Sequence, residues 1–249
     1  MTKIENISCV IISQNSQETI TDTLESLKSF SDVVVYSNNS TDNTENIIKN
    51  YDNVTLINGN FLGFGPTKNK ASEYAKNDWI LSLDSDEKLP FELIDELKKL
   101  MLDNSKEVFI LKRDNYFLNK KIKYSGWGKD YLTRIYNKSQ YQFNNNMVHE
   151  SVQIANDTKQ TRLKNSFQHN AVQNLNQFLQ KIIKYSDLAA KNKKTCSLSV
   201  VILKAFFAFF KTYIMQLGFL DGWRGLVISI SNFNGKFFRY MKRYLNCKK

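Results

Sequence analysis

Four short apolar runs constrain this chain more than any other feature: ISCVII (7–12), DVVVYS (32–37), VTLIN (54–58) and WILSLD (79–84). Each reads as a short, buried strand. Helical patterns separate them. One runs from about Glu18 to Phe30 with Leu24 and Leu27 inward, and one opens in NNSTDNTENIIKNY with Asp42 as its N-cap. A third leaves the glycine-rich loop of GFGPTKNKASEYAKN. The fourth, LPFELIDELKKLM, has Pro90 near its first turn and Phe91, Ile94 and Leu97 at helical spacing. Strands alternating with helices predict an α/β fold, a mostly parallel sheet with helices on both faces. Beyond Glu107 the segments VFILKRD, LTRIYN and YQFN predict shorter strands that pair antiparallel. At 249 residues the chain suits one large domain, or a domain with an appendage.

The fourth run ends in Asp84, Ser85, Asp86 and Glu87, where each carboxylate raises the cost of ionising its neighbours. Ligands of open α/β sheets bind beyond the carboxyl ends of the strands, which is where Asp84 and Asp86 fall. Two acids two residues apart in an extended chain face the same side and suit one hard cation. Mg²⁺ or Mn²⁺ held by few protein ligands keeps positions for phosphate oxygens. The bland alternative is a solvated turn with Glu87 starting the next helix. A glycosidase also uses two carboxylates, but about 5–10 Å apart across a cleft.

Charge divides the chain. Residues from Lys191 onward carry nine lysines, three arginines and one acid, Asp221, a net of +11 that equals the charge of the whole chain. Residues 1–190 balance, so whatever needs positive charge is bound by the tail. Within LSVVILKAFFAFFKTYIMQLGFL (198–220), Lys204 and Lys211 lie seven apart on one helical face, leaving the phenylalanines opposite. NGKFFRYMKRYLNCKK repeats that pattern, with Phe237, Phe238, Met241 and Leu245 opposing Lys236, Arg239, Lys242 and Arg243. Such helices lie in a membrane interface and are drawn to anionic lipid. They would otherwise pack on the catalytic core with a solvated basic face. No recognition motif supports nucleic acid. The start lacks the pattern of a secretory signal, and Cys9, Cys196 and Cys247 show no CxxC or zinc-ligand spacing. Both features are read as a cytoplasmic protein with reduced thiols.

The segments SCVIISQN, VVVYSNNSTDNT, GFGPTKNKA and DWILSLDSDE, in this order, resemble the GT-A family 2 glycosyltransferases, nearest to the lipopolysaccharide inner-core glucosyltransferase branch. GWGKD (126–130), RIYNK (134–138), VHE (148–150) and GFLDGWRGL (218–226) extend the likeness over nearly the whole chain. It implies a GT-A fold over residues 1–190 with a basic amphipathic helical extension over 191–249. It also implies inverting, metal-dependent transfer of a hexose, glucose in that branch, from a UDP-type nucleotide sugar to a lipid-linked core saccharide. The location implied is the inner face of the cytoplasmic membrane. The rival readings are a capsule or other surface-glycan transferase, and a nucleotide-binding scaffold without activity.

By that likeness Asp86 holds the metal on the diphosphate, and Asp84 faces the donor ribose or sugar. The first motif, usually T-K-N-E, reads Ser13-Gln14-Asn15-Ser16 here, losing the acid. Ser37, followed by Asn38 and Asn39, stands where an Asp usually reads the base. Serine or asparagine can still hydrogen-bond a base edge, so Ser13, Asn15, Ser37 and Asn38 remain donor-side candidates. Lys68 matches a basic residue suited to phosphate, or is a surface lysine at a helix start. Inverting transfer needs a base on the acceptor hydroxyl, and Glu150 in VHE is the candidate, with an ion pair as its structural alternative. His169 is a candidate second metal ligand, though a lone histidine is more often structural. Trp127, flanked by two glycines, suits an exposed platform for an acceptor sugar or a buried core indole. Asp130 lies beside it as an acceptor-side candidate and the next choice of base.

Overall fold

The computed structural model describes residues 3–146, 150–190 and 193–248. The four apolar runs form β1 (Ser8–Ser13), β2 (Val33–Ser37), β3 (Val54–Asn58) and β4 (Trp79–Asp84). They pair in parallel in the order β3-β2-β1-β4, with Ser13 opposite Ser37 and Ile12 opposite Asp84. Two residues beyond β4 comes the short β5 (Glu87–Lys88), followed by β6 (Glu107–Phe117), β7 (Lys120–Lys121), β8 (Tyr131–Asn137) and β9 (Lys159–Val172). As expected past Glu107, β8 pairs antiparallel with both β4 and β6. The order continues β4-β8-β6-β9-β5. Because β5 follows β4 so closely in the chain, the sheet curls back toward its own centre.

Side-chain alternation explains the layers. Cys9 and Ile11, Val33 and Val35, Leu81 and Leu83 face one side, packed on α1 (Ile20–Ser26), α2 (Thr44–Ile48) and α4 (Phe91–Lys98). Val10, Ile12, Val34, Tyr36 and Ile80 face the other, packed against Ala71 of α3 (Phe64–Ser72). This is the GT-A type of α/β architecture. The first helix is shorter than the expected 18–30. Asp42 caps differently from expectation: the residue before α2 is Asn43, while Asp42 Oδ1 accepts the Thr44 backbone N–H at 3.1 Å.

The chain forms two compact units, residues 1–113 with 131–169, and residues 114–130 with 170–249. The second unit thus takes in an inserted loop and starts earlier than the expected boundary at 190. Its core joins Phe117, Ile122, Val172 and Ile228. Its helices are α5 (Leu175–Ala190), α6 (Leu198–Phe210) and α7 (Trp223–Lys248), with a π-turn (Lys211–Met215) and a 3₁₀ turn (Gly218–Asp221) between the last two. Asp221 anchors the loop, accepting the backbone N–H of Lys123 at 3.1 Å and the Ser125 hydroxyl at 2.7 Å. Gly128 is required there, since a Cβ would lie 1.8 Å from the Lys123 carbonyl.

The expectation of reduced thiols is corrected for two cysteines. Cys196 and Cys247 form a disulfide, their Cα atoms 5.5 Å apart, while Cys9 is free and buried. Spacing along the chain hid the pair because α6 and α7 run antiparallel, which brings residues 51 apart to the same end. Cysteine usage therefore does not point to a reducing compartment.

Candidate active site

The end of β4 is the point where the polar residues of the first unit converge. Asp84 and Asp86 do not share one face as an extended segment would place them. The chain turns at Ser85–Asp86, and the two carboxylates take different partners. Ser85 is pinned in that turn: its hydroxyl lies 2.8 Å from the Ser16 hydroxyl, and its carbonyl accepts from Thr23 Oγ1 at 3.0 Å. Ser16, standing where the family pattern has an acid, therefore braces the turn.

Asp84 is held between two cations. Its Oδ1 lies 2.8 Å from Lys68 Nζ and its Oδ2 3.2 Å from Arg134 Nη2. Burial pushes the Asp84 pKa up, but the charges of Lys68 and Arg134 outweigh it and hold the carboxyl well below its ordinary range. Lys68 is neither a surface lysine nor turned to open space. It is 2 % exposed and also binds Glu150 Oε1 at 3.0 Å. Glu150 Oε2 has no partner among the described residues, while His149 and the rest of 147–149 lie outside them.

A second carboxylate lies beneath. Glu87, fully buried, accepts the Asp84 backbone N–H at 2.9 Å, Arg134 Nη2 at 2.5 Å and Arg113 Nη1 at 3.3 Å. Burial raises the Glu87 pKa, Arg134 pulls it back, and the Asp84 charge adds to the rise. Burial also works against the charge on Arg134, yet Glu87 and Asp84 more than restore it. Arg134 thus locks the DxD strand end to the layer below it. Sequence reading missed both Arg134 and Glu87, since they are 47 residues apart and only the β4–β8 pairing joins them.

Asp86 turns the other way. Its Oδ2 lies 3.5 Å from His169 Nε2, because β9 pairs His169 opposite Glu87 in β5. Among the described residues no group of three acids, histidines or cysteines forms a metal cage. One carboxylate oxygen and one imidazole nitrogen at this separation fit two neighbouring positions around a divalent cation, leaving the others for water and phosphate.

The donor-side candidates gather at the ends of β1 and β2. Ser13 Oγ and Asn38 Oδ1 are buried without a hydrogen-bond partner among the described residues, a costly state that a ligand would relieve. Asn15, in the left-handed region at φ 50°, accepts the Thr41 backbone N–H at 2.8 Å and so ties the two strand-end loops together. Ser37 donates to Glu45 Oε1 at 2.8 Å. A carboxylate is therefore present beside the position where the family pattern has Asp, supplied by α2. Its signal was the acid of STDNTEN, eight residues past Ser37.

The acceptor-side candidates belong to the second unit. Asp130 accepts from Asn115 Nδ2 at 3.0 Å. Trp127 is half-buried, between the exposed platform and the buried core indole, with its ring centroid 6.4 Å from both Phe117 and Phe178. One part of the indole packs against the small core of the second unit.

The family model for glycosyl transferase family 2 matches residues 8–170, spanning the sheet, the DxD turn and His169. The chain belongs to glycosyl transferase family 2. Its similar relatives include uncharacterized glycosyltransferases of Rickettsia prowazekii (strain Madrid E), 28 % identical, and Rickettsia typhi (strain ATCC VR-144 / Wilmington), 27 % identical. Each alignment covers 96 % of this chain and 87 % of the relative. Among solved structures, S. aureus TarS is similar with a TM-score of 0.49 and 16 % identity, covering 98 % of this chain and 53 % of that one. As a family 2 member the chain is a glycosyltransferase.

Proposed function

We propose that this glycosyltransferase moves a hexose from a nucleotide sugar to a lipid-linked saccharide by an inverting, metal-assisted reaction. The observation that carries this reading is the constellation at the end of β4. One acid, Asp86, stands next to His169, and another, Asp84, is fixed by Lys68 and Arg134. Glu150, on the far side of Lys68, binds it through Oε1 alone, and its Oε2 has no partner among the described residues. Asp86 and His169 would hold Mg²⁺ or Mn²⁺, whose charge neutralises a diphosphate leaving group. Ser13, Asn38 and the Ser37–Glu45 pair would take the nucleoside, and Asp84 the donor ribose or sugar. Uridine is the base and glucose the sugar that the resemblance suggests, with a lipopolysaccharide core as acceptor.

In an inverting transfer the acceptor hydroxyl attacks the anomeric carbon from the face opposite the leaving diphosphate. Glu150 Oε2 takes the hydroxyl proton while Lys68 fixes Oε1, so the base does not swing away. Asp84 shares the same lysine, which couples the donor-facing acid to the acceptor-facing base. The location that accords with such a donor and a lipid-linked acceptor is the inner face of the cytoplasmic membrane.

The test is release of nucleoside diphosphate from a panel of nucleotide sugars with Mg²⁺ or Mn²⁺. Turnover of one donor, stopped by chelation, is the expected result. Donor binding without any turnover, with or without acceptor, would leave a scaffold in its place.

A further inference from the structure

The second unit carries a surface built the wrong way round for water. Where α6 meets α7 it buries small side chains, Val201, Ala205 and Ala208, followed by Thr212 in the π-turn. The facing side of α7 buries Gly225, Ile228 and Ser229. Small residues let the two backbones approach closely, as in helices that associate within lipid. A Cβ on Gly225 would lie 1.8 Å from the Gly218 carbonyl. The large side chains point away: Leu203 is 68 % exposed, Phe206 61 %, Phe207 56 % and Phe210 51 %. The apolar surface continues onto α7 through ring contacts from Phe206 to Phe233 at 5.2 Å and from Phe233 to Phe237 at 6.1 Å. A contiguous apolar face of this kind marks an interaction surface.

Beside it lies a cluster of cations. Lys236, Arg239 and Arg243 follow one another along α7 at spacings of three and four, and Lys204 comes from α6. Burial lowers the Lys236 pKa, and the charges of Arg239, Arg243 and Lys204 lower it further. Among the described residues the buried Nε atoms of Arg239 and Arg243 have no hydrogen-bond partner. Arg243 donates through Nη2 to the Ala189 carbonyl at 2.6 Å, and the nearby acid Asp187 pairs with Lys242 at 2.6 Å. Like charges packed this closely are stabilised by an anion.

We infer that this face of α6 and α7 docks on an anionic phospholipid bilayer, its phenylalanines entering the headgroup–acyl boundary while Lys204, Lys236, Arg239 and Arg243 take headgroup phosphates. Lys204 stands three residues before Phe207 and Lys236 three after Phe233, spacings that make neighbours on a helix surface, so the charges border the apolar ridge, as in helices that lie in the interface. A second copy of this chain would bring the same excess of +11 and oppose pairing. The segment Leu198–Met215 is long and apolar enough to cross a membrane. Two exposed lysines within it, Lys204 and Lys211, favour lying along the surface instead. This docking surface stands apart from the catalytic reading and does not depend on it.

The full-length protein, a Phe206→Ser/Phe207→Ser/Phe210→Ser variant and a Lys236→Glu/Arg239→Glu variant should be sedimented with phosphatidylcholine vesicles, with and without phosphatidylglycerol. Circular dichroism and thermal melts report whether each variant is folded. The wild type should bind the phosphatidylglycerol vesicles at low salt and leave them at about 1 M salt, where charges act over only about 3 Å. Each variant should lose at least about tenfold in binding, a factor that several lost surface contacts readily supply. If the serine variant does not fold, the charge-reversal variant decides alone. Equal binding to both vesicle types, or none to either, overturns the inference. So does retention through a carbonate wash, which marks a spanning helix. A concentration-dependent dimer abolished by the serine changes assigns the face to a second copy, and inorganic phosphate stabilising the wild type as strongly as the vesicles assigns the cluster to a soluble anion.

Discussion

Lys68 joins the two carboxylates on which the proposed chemistry depends, lying 2.8 Å from Asp84 and 3.0 Å from Glu150. Replacing Glu150 by Gln keeps the size and the contact to Lys68 but removes the proton acceptor. Transfer should fall by roughly 10²–10⁴-fold while donor affinity holds, as read by initial rates and calorimetry. A near wild-type rate would move the base elsewhere. Arg134 acts one layer deeper. Arg134→Met strips Glu87, a fully buried acid, of its shortest ion pair and leaves it the longer contact to Arg113. A loss of about 3–5 kcal/mol in urea unfolding is expected, the usual cost of orphaning a buried charge. The strand-end acids could be singled out because they close an apolar run, whereas His169 has no local pattern and was a candidate only through the family resemblance. Arg134 was not, since its role exists only once β8 is laid beside β4. Glu45 was hidden for the same reason, reaching Ser37 from a helix.

At the scale of elements, parallel strands and their layers follow from apolar runs and alternation, so β1 to β4 could be read directly. Helix ends could not, because capping geometry depends on neighbours: α1 stops at Ser26, short of the periodic pattern that suggested Phe30. The long β9 was missed because its sequence, KQTRLKNSFQHNAV, alternates weakly and is polar. Besides its pairing with β5, it is held by α4. Glu96 accepts the backbone N–H groups of Lys164 and Asn165, each at 2.9 Å, and Asn165 Nδ2 at 2.8 Å. Burial raises the Glu96 pKa, but these donors outweigh it and leave it below the ordinary 4.5. A carboxyl depressed on folding stabilises fully above that ordinary value, and the contribution is lost as pH falls through the folded one. Glu96→Gln should therefore cost about 1–2 kcal/mol near neutral pH. The difference from wild type should shrink below pH 4.5, followed by thermal melts across pH. A constant gap would mean that the charge contributes nothing.

At the scale of the molecule, charge and chemistry are segregated. The first unit holds the DxD turn, Lys68, Arg134, Glu150 and His169, and the second holds the basic helices. Composition announced that split, yet the inserted loop 114–130 could not be assigned to the second unit from sequence, because its packing on Asp221 and Phe178 is non-local. The account rests on Asp86 and His169 presenting a cation to a nucleotide diphosphate at the end of β4. Calorimetry of UDP-glucose with Mn²⁺, on wild type and on Asp86→Ala, tests this most directly. The account predicts binding to the wild type that chelation abolishes and that the variant lacks, with the variant's melting temperature little changed. Equal affinity in Asp86→Ala with the metal present would contradict it.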